Sequence, residues 1–205
     1  MTTTEQVYRR LAPFYDVIYG ATLQPGRRRA MARLAPSAGE SILEVGVGTG
    51  MGLAEYPRGC HIVAIDLSAA MIKRAQHRLR RHGARHVTLC RMDAGRLAFA
   101  DSSFDAVYAP YLINVVPDPV AVAREMLRVC RPQGRLVLLN HFDRIQAGKR
   151  RERVTNAVGR LATGISGVNW HLDLPDFLRE TGLSLESVEA VNALRVSSVV
   201  LCRKG

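Results

Sequence analysis

Short apolar runs rich in β-branched residues recur along this chain, and between them apolar positions return every third or fourth residue. The first spacing predicts buried strands and the second predicts amphipathic helices. Strands are expected at Ile42–Val45, His61–Ile65, His86–Cys90 and Ala106–Ala109, then in R-L-V-L-L, a fifth strand that ends at Asn140 and His141. Two more, near Leu183–Val188 and Leu194–Cys202, close the sheet. Residues 5–19 set Val7, Leu11, Phe14, Tyr15 and Ile18 at helical spacing, interrupted by Pro13. Arg27, Arg28, Arg29 and Arg33 share a helix with Met31 and Leu34 that Pro36 closes. Ser68 is an N-cap for a helix through Met71, Ile72, Ala75 and Leu79 that stops at Gly83. Further helices follow Pro117–Pro119, span Lys149–Leu161, and run from Asp173–Asp176 to Phe177–Thr181.

The first strand runs into a loop of alternating glycines, I-L-E-V-G-V-G-T-G-M-G from Ile42 to Gly52. Without Cβ atoms the backbone can turn sharply and approach a ligand closely. The dinucleotide fingerprint wants G-x-G-x-x-G, but Met51 stands where its third glycine belongs. Here an acid, Glu44, precedes G-x-G-x-G at Gly46, Gly48 and Gly50. The second strand ends in Asp66, about 20 residues beyond the first glycine, where doubly wound nucleotide binders place an acid on ribose hydroxyls. The plain alternative is a tight strand-to-helix turn with an exposed Asp nearby.

E-V-G-V-G-T-G resembles motif I of the class I S-adenosylmethionine (SAM) methyltransferases. The N-terminal Y-R-R-L-A-P-F-Y-D-V-I-Y-G is similar to the arm of small members in which a tyrosine beside an Asp closes over the methyl donor. S-F-D-A-V-Y, P-Y-L-I-N-V-V-P-D-P and R-E-M-L-R-V-C-R-P-Q-G-R-L-V-L-L resemble the fourth strand, the helix and the fifth strand of that fold. Together with the basic balance, these stretches resemble the bacterial phosphatidylethanolamine N-methyltransferase family of the peripheral, non-spanning kind.

The resemblance implies an α/β, Rossmann-like class I methyltransferase fold. Its central, mostly parallel seven-stranded sheet has helices on both faces and an antiparallel last strand. Residues 1–205 form one domain, in which residues 1–36 act as a lid or membrane contact. The implied cofactor is S-adenosyl-L-methionine, leaving S-adenosyl-L-homocysteine. Its expected neighbours are Tyr19, Glu44, Gly46, Gly48, Gly50, Asp66, Leu67, Met71, Asp93, Ala94, Ala109 and Pro110. Asp93 would accept from the adenine amino group, with Ala94 leaving room for the ring; Asp93 also reads as a simple turn acid.

Methyl transfer from a sulfonium needs a lone pair in line, so alignment and water exclusion carry most of the catalysis. A primary amine acceptor, with a pKa of about 10.4 like lysine, must also lose a proton. Tyr15, Tyr19 and His141 are the catalytic candidates, and His141 reads more readily as a surface or core histidine at a strand end. Tyr111, Asn114, Asn140, His141, Trp170 and His171 are the substrate candidates, since aromatic faces suit a methylated ammonium. Relatives acting on soluble phosphoethanolamine use a tyrosine with a histidine after the fourth strand, where this chain has Asn114 and Val115.

The formal net charge of +11 changes the picture most, because it attracts phosphates of nucleic acid or of an anionic membrane. The resemblance favours an anionic membrane surface and phosphatidylethanolamine with its methylated derivatives as partners, with no nucleic acid and no metal. Cys60, Cys90, Cys130 and Cys202 have no C-x-x-C spacing and read as reduced thiols. No apolar stretch reaches the roughly 18 residues of a membrane span. The expected location is the cytoplasm, peripherally on the inner face of the cell membrane. A quinone-ring C-methyltransferase and a non-catalytic RNA-binding protein on the same fold are the other readings.

Overall fold

The computed structural model describes residues 23–142, 172–191 and 197–205. The apolar runs become β1 (Ser41–Val45), β2 (His61–Asp66), β3 (Val87–Arg91), β4 (Phe104–Pro110), β5 (Cys130–Asn140), β6 (Ser184–Val191) and β7 (Ser197–Arg203). They form one seven-stranded sheet in the order β3-β2-β1-β4-β5-β7-β6. β1 pairs in parallel with both β2 and β4, while β7 runs antiparallel to β5 and β6.

Parallel strands need crossovers, which α2 (Ala69–His82), α3 (Pro119–Val129) and α4 (Leu174–Thr181) supply, and together with α1 over residues 23–34, ahead of β1, they cover both faces of the sheet. Leu43, Val45, Val107, Ala109, Leu136 and Leu138 point to one side, with Val122 and Met126 of α3 and Phe177 of α4. Ile42, Ala106, Tyr108, Val137 and Leu139 point to the other, with Ala30 and Leu34 of α1 and Ile72 and Ala75 of α2. Burial on both sides explains why the central strands read as continuous apolar runs. Each fully buried Leu, Ile or Val side chain contributes about 1.5–3 kcal/mol.

The helix ends follow the local chemistry. Ser68 accepts from the Met71 N–H at 3.4 Å, and Gly83 ends α2 in the left-handed region at φ 61°. Asp118 caps α3 through the Ala121 N–H, with Pro119 in the first turn, and Asp173 caps α4 through the Asp176 N–H. Among the described residues no helix is long and apolar enough to cross a membrane.

From β1 the chain moves outward to β2 and β3, then returns across β1 to β4 on its other side. The order reverses between β1 and β4, and beyond their carboxyl ends such a sheet leaves a crevice for ligands.

Candidate active site

The glycine loop leaves β1 by pointing the Gly46 and Val47 N–H groups at the Ile65 carbonyl, both at 2.9 Å. Gly46 has φ 83°, and a Cβ there would stand 2.8 Å from Leu112 Cδ1. Gly48 has φ 57°, and a Cβ there would meet nothing within 4 Å. Thus Gly46 is required by packing against the turn after β4, whereas Gly48 faces open space. Gly50, also left-handed, packs on Ala75 of α2.

Asp66 ends β2 and locks this loop: Oδ2 accepts from the Gly48 N–H at 2.9 Å and Oδ1 from the Ser68 N–H at 2.8 Å. Burial raises its pKa, and the two backbone donors oppose that shift. A carboxylate has about four acceptor sites, so capacity remains for two vicinal hydroxyls. Leu67 follows and is 58% exposed, an apolar wall beside an acid, while Met71 behind it on α2 is buried. Asp93 and Ala94 lie just past β3; Asp93 is exposed and its Oδ1 accepts from the Gly95 N–H at 2.9 Å, a turn bond. Glycines that clear the backbone, a half-buried acid and an exposed leucine fit an adenosine lying over the β1–β2 ends.

On the β4 side, Ala109 and Pro110 are buried at the strand end and bring Tyr111 into the crevice. Tyr111 has φ 58°, a region non-glycine residues rarely occupy, at a cost of about 1–3 kcal/mol. Its N–H donates to the Leu139 carbonyl at 2.6 Å and its hydroxyl to the Leu23 carbonyl at 3.3 Å, so it bridges β5 and α1. Its ring lies 6.1 Å from the His141 ring, and the Arg27 guanidinium stands 5.0 Å over it. His141 Nδ1 is 3.3 Å from Ser197 Oγ. Tyr111, His141, Ser197 and Arg27 therefore gather where β4, β5 and β7 meet α1.

Three expected roles change. Glu44 does not face the crevice: it is 1% exposed beneath the loop, and its carboxyl accepts from the Tyr56 hydroxyl. Burial pushes its pKa up to about 8, which the Arg27 charge partly offsets. Asn114 is 3% exposed and spends its amide on the backbone of His141, a positioning role in place of a substrate-facing one. Asn140 is fully buried, opposite Ser198 on β7, because the strand pleat turns it with Leu138 into the core. Tyr15, Tyr19, Trp170 and His171 lie outside the described residues, as do the N-terminal arm and Lys149–Leu161.

The site also holds residues that the sequence reading passed over: Arg27, Tyr56, Leu112 and Ser197. Arg27 carried a signal, since it sits on the helical stripe of Ala30, Met31 and Leu34, all buried.

A family model described as a methyltransferase domain matches residues 43–138. The phosphatidylethanolamine N-methyltransferase of Cereibacter sphaeroides is 42% identical over 138 residues, which cover 67% of each chain. The demethylmenaquinone methyltransferase of Renibacterium salmoninarum is 36% identical over 134 residues, covering 62% of this chain and 54% of that one. The chain thus spans about two thirds of the first relative and about half of the second. Among solved structures, a SAM-dependent methyltransferase from Aquifex aeolicus matches with TM-score 0.67 at 14% identity over 100% of both chains. Geranyl diphosphate C-methyltransferase from Streptomyces coelicolor, bound to S-adenosyl-L-homocysteine, matches with TM-score 0.70 at 16% identity over 87% of this chain and 77% of that one. At those identities the structures show the fold, and the family rests on the sequence relative. The chain is an S-adenosylmethionine-dependent methyltransferase of the class I fold and belongs to the family of the Cereibacter sphaeroides enzyme.

Proposed function

We propose that the chain methylates the amine of phosphatidylethanolamine toward phosphatidylcholine, working peripherally on an anionic membrane surface. The observation that carries this reading is the 42% identity to a phosphatidylethanolamine N-methyltransferase over two thirds of both chains. S-adenosylmethionine supplies a methyl group on a sulfonium, so the protein has to align an amine lone pair with it and keep water out. Tyr111 and His141 present aromatic faces on the acceptor side of the crevice, which suit an amine that gains methyl groups and a fixed positive charge. The His141 imidazole is the described group suited to take the amine proton, and Ser197 holds one of its ring nitrogens.

A double-chain lipid stays in its bilayer, so the protein must come to it. The structure supports α2 as a docking face more than α1. On α1, Arg28 is paired with Glu55, and Arg29 and Arg33 share Glu189. On α2 there is no acidic residue. Lys73, Arg74, His77, Arg78, Arg81 and His82 line a hollow of about 840 Å³ that reaches Thr49 of the glycine loop. Each Lys or Arg near an anionic leaflet contributes about 1 kcal/mol, decaying within a Debye length of about 10 Å.

Sedimentation with vesicles tests the docking, and acceptor competition tests the substrate. The chain is expected to sediment with anionic vesicles at low salt, and Lys73→Glu with Arg81→Glu to abolish this without changing SAM affinity. When phosphatidylethanolamine and demethylmenaquinone are offered in one vesicle, the methyl label is expected on the phospholipid. Label on the quinone would favour the reading suggested by the demethylmenaquinone methyltransferase relatives.

A further inference from the structure

Ser197 opens β7 and is fully buried, yet its Oγ lies 3.3 Å from Nδ1 of His141 on the acceptor side of the crevice. The sheet sets this meeting. β5 and β7 run antiparallel with Asn140 opposite Ser198, so one step further in the same register brings His141 opposite Ser197. Opposite residues of an antiparallel pair share a face, with Cβ atoms about 4.5–5.5 Å apart. Both backbones are held independently of the contact. Ser197 pairs with Val191 of β6, and the Asn114 side chain takes both the N–H and the carbonyl of His141. Around the imidazole stand Tyr111, its ring 6.1 Å away, and Arg27, whose guanidinium lies over the Tyr111 ring.

A neutral imidazole has one N–H and one lone pair, so the bond made at one ring nitrogen decides what the other can do. A serine hydroxyl can serve either way. If it donated to Nδ1, Nε2 would carry the hydrogen and could take no proton. If Oγ accepts from Nδ1–H, Nε2 carries the lone pair. The second arrangement alone fits a base, and it survives the proton transfer: once Nε2 is protonated, Nδ1–H still donates to Oγ, now from a cation and more strongly. A carboxylate in the place of Ser197 would favour the imidazolium before any amine arrived. A hydroxyl fixes the tautomer and adds no charge.

We propose that Ser197 is a positioning residue for the methyl transfer: its Oγ accepts from His141 Nδ1–H and thereby makes Nε2 the nitrogen that takes the amine proton. This rests on the phospholipid reading and adds to it the residue that sets the tautomer of the base. The ammonium nitrogen gives its proton to Nε2. The lone pair so released forms the bond to the methyl carbon as the carbon–sulfur bond breaks, and that bond's electron pair stays on sulfur, leaving S-adenosyl-L-homocysteine. The imidazolium then returns the proton to water.

Nitrogen-15 spectra of the full chain, with the His141 signals identified by their loss in His141→Gln, read the tautomer directly. Neutral His141 is expected to carry its hydrogen on Nδ1 in wild type and to lose that preference in Ser197→Ala. Initial rates with S-adenosylmethionine and phosphatidylethanolamine vesicles supply the second readout. Ser197→Ala is expected to lower kcat about tenfold, part of the roughly 100- to 10,000-fold that a base contributes, at unchanged S-adenosyl-L-homocysteine affinity in calorimetry. The deficit should shrink as pH rises toward about 10.4, where the amine sheds its proton unaided, and Ser197→Thr, which keeps the hydroxyl, should recover activity. Hydrogen on Nε2 in wild type, or a Ser197→Ala deficit that stays the same at every pH, would overturn the proposal. So would a wild-type rate in Ser197→Ala. A wild-type rate in His141→Gln, or no methyl transfer to phosphatidylethanolamine by wild type, would overturn the underlying reading of base or of acceptor, and the proposal with it.

Discussion

Asn114 and His141 hold each other by two hydrogen bonds between one side chain and one backbone unit. Asn114 Nδ2 donates to the His141 carbonyl at 2.9 Å, and Oδ1 accepts from the His141 N–H at 3.0 Å. The turn after β4 is thereby tied to the end of β5, the two places that supply Tyr111 and His141 to the crevice. Asn114→Ala should cost about 1–3 kcal/mol by leaving both backbone groups unmatched. Asn114→Asp keeps the acceptor but sets a second oxygen against the carbonyl, so it should recover little. Thermal unfolding of the three proteins checks this; a neutral Asn114→Ala would remove the clamp from the account.

Gly46 and Gly48 separate packing from ligand space. Both sit in the left-handed region, so alanine at either strains the backbone by about 1 kcal/mol. At Gly46 the new methyl would also press on Leu112, and at Gly48 it would enter open space. Gly46→Ala should therefore lower the unfolding temperature more, while Gly48→Ala should lose S-adenosyl-L-homocysteine affinity at nearly the strain cost alone. Equal melting temperatures for the two variants would contradict the close approach of Leu112.

Glu44 makes stability depend on pH in a definite direction. Its carboxyl is raised from 4.5 to about 8, so the folded protein holds a proton that the unfolded chain releases. That contribution is fully present below pH 4.5 and is lost as pH rises toward 8. Glu44→Gln keeps an acceptor for the Tyr56 hydroxyl without the titration. Its melting temperature relative to wild type should climb steadily between pH 5 and pH 8, because each pKa unit of the shift carries roughly 1.4 kcal/mol. A pH-independent difference would show that Glu44 titrates like an exposed carboxyl.

Much of this was open to a reader of the sequence, for physical reasons that particular residues make plain. β1, β2, β4 and β5 are covered on both faces, so Ile42–Val45 and Leu136–Leu139 announce themselves as unbroken apolar runs. Ser68, Gly83 and Asp173 carry their capping chemistry in their own side chains or their lack of one. Side-chain direction was harder. Whether Glu44 faces the ligand or lies beneath the loop depends on the Tyr56 hydroxyl that meets it. The fate of Asn114 depends on the left-handed turn at Tyr111, which no periodicity records. Asn140 was misplaced by one step of the strand pleat. Arg27 was counted with its outward neighbours although its spacing from Ala30 and Leu34 placed it inside.

Glu189 links α1 to the sheet edge by accepting from Arg29 at 2.6 Å and Arg33 at 2.8 Å. The Arg29 hydrogen bond holds its carboxyl below the usual range. Its contribution is therefore present above the ordinary value of 4.5 and lost as pH falls through the lowered one. For groups this close to solvent, Glu189→Gln should cost about 1 kcal/mol or less, and less again in high salt. Salt-independent destabilisation would mean that packing, not charge, seats α1.

The crevice at the β1–β4 ends is expected to bring a sulfonium methyl group to a phospholipid amine. Mass spectrometry of lipids extracted after incubation with trideuteromethyl-labelled S-adenosylmethionine and phosphatidylethanolamine vesicles addresses it directly. Wild type is expected to place the labelled methyl on the phospholipid headgroup. Asp66→Ala, which removes the acceptor shared by Gly48 and Ser68, is expected to lose the transfer. No label on the headgroup with wild type, or undiminished transfer by a folded Asp66→Ala protein, would contradict the account.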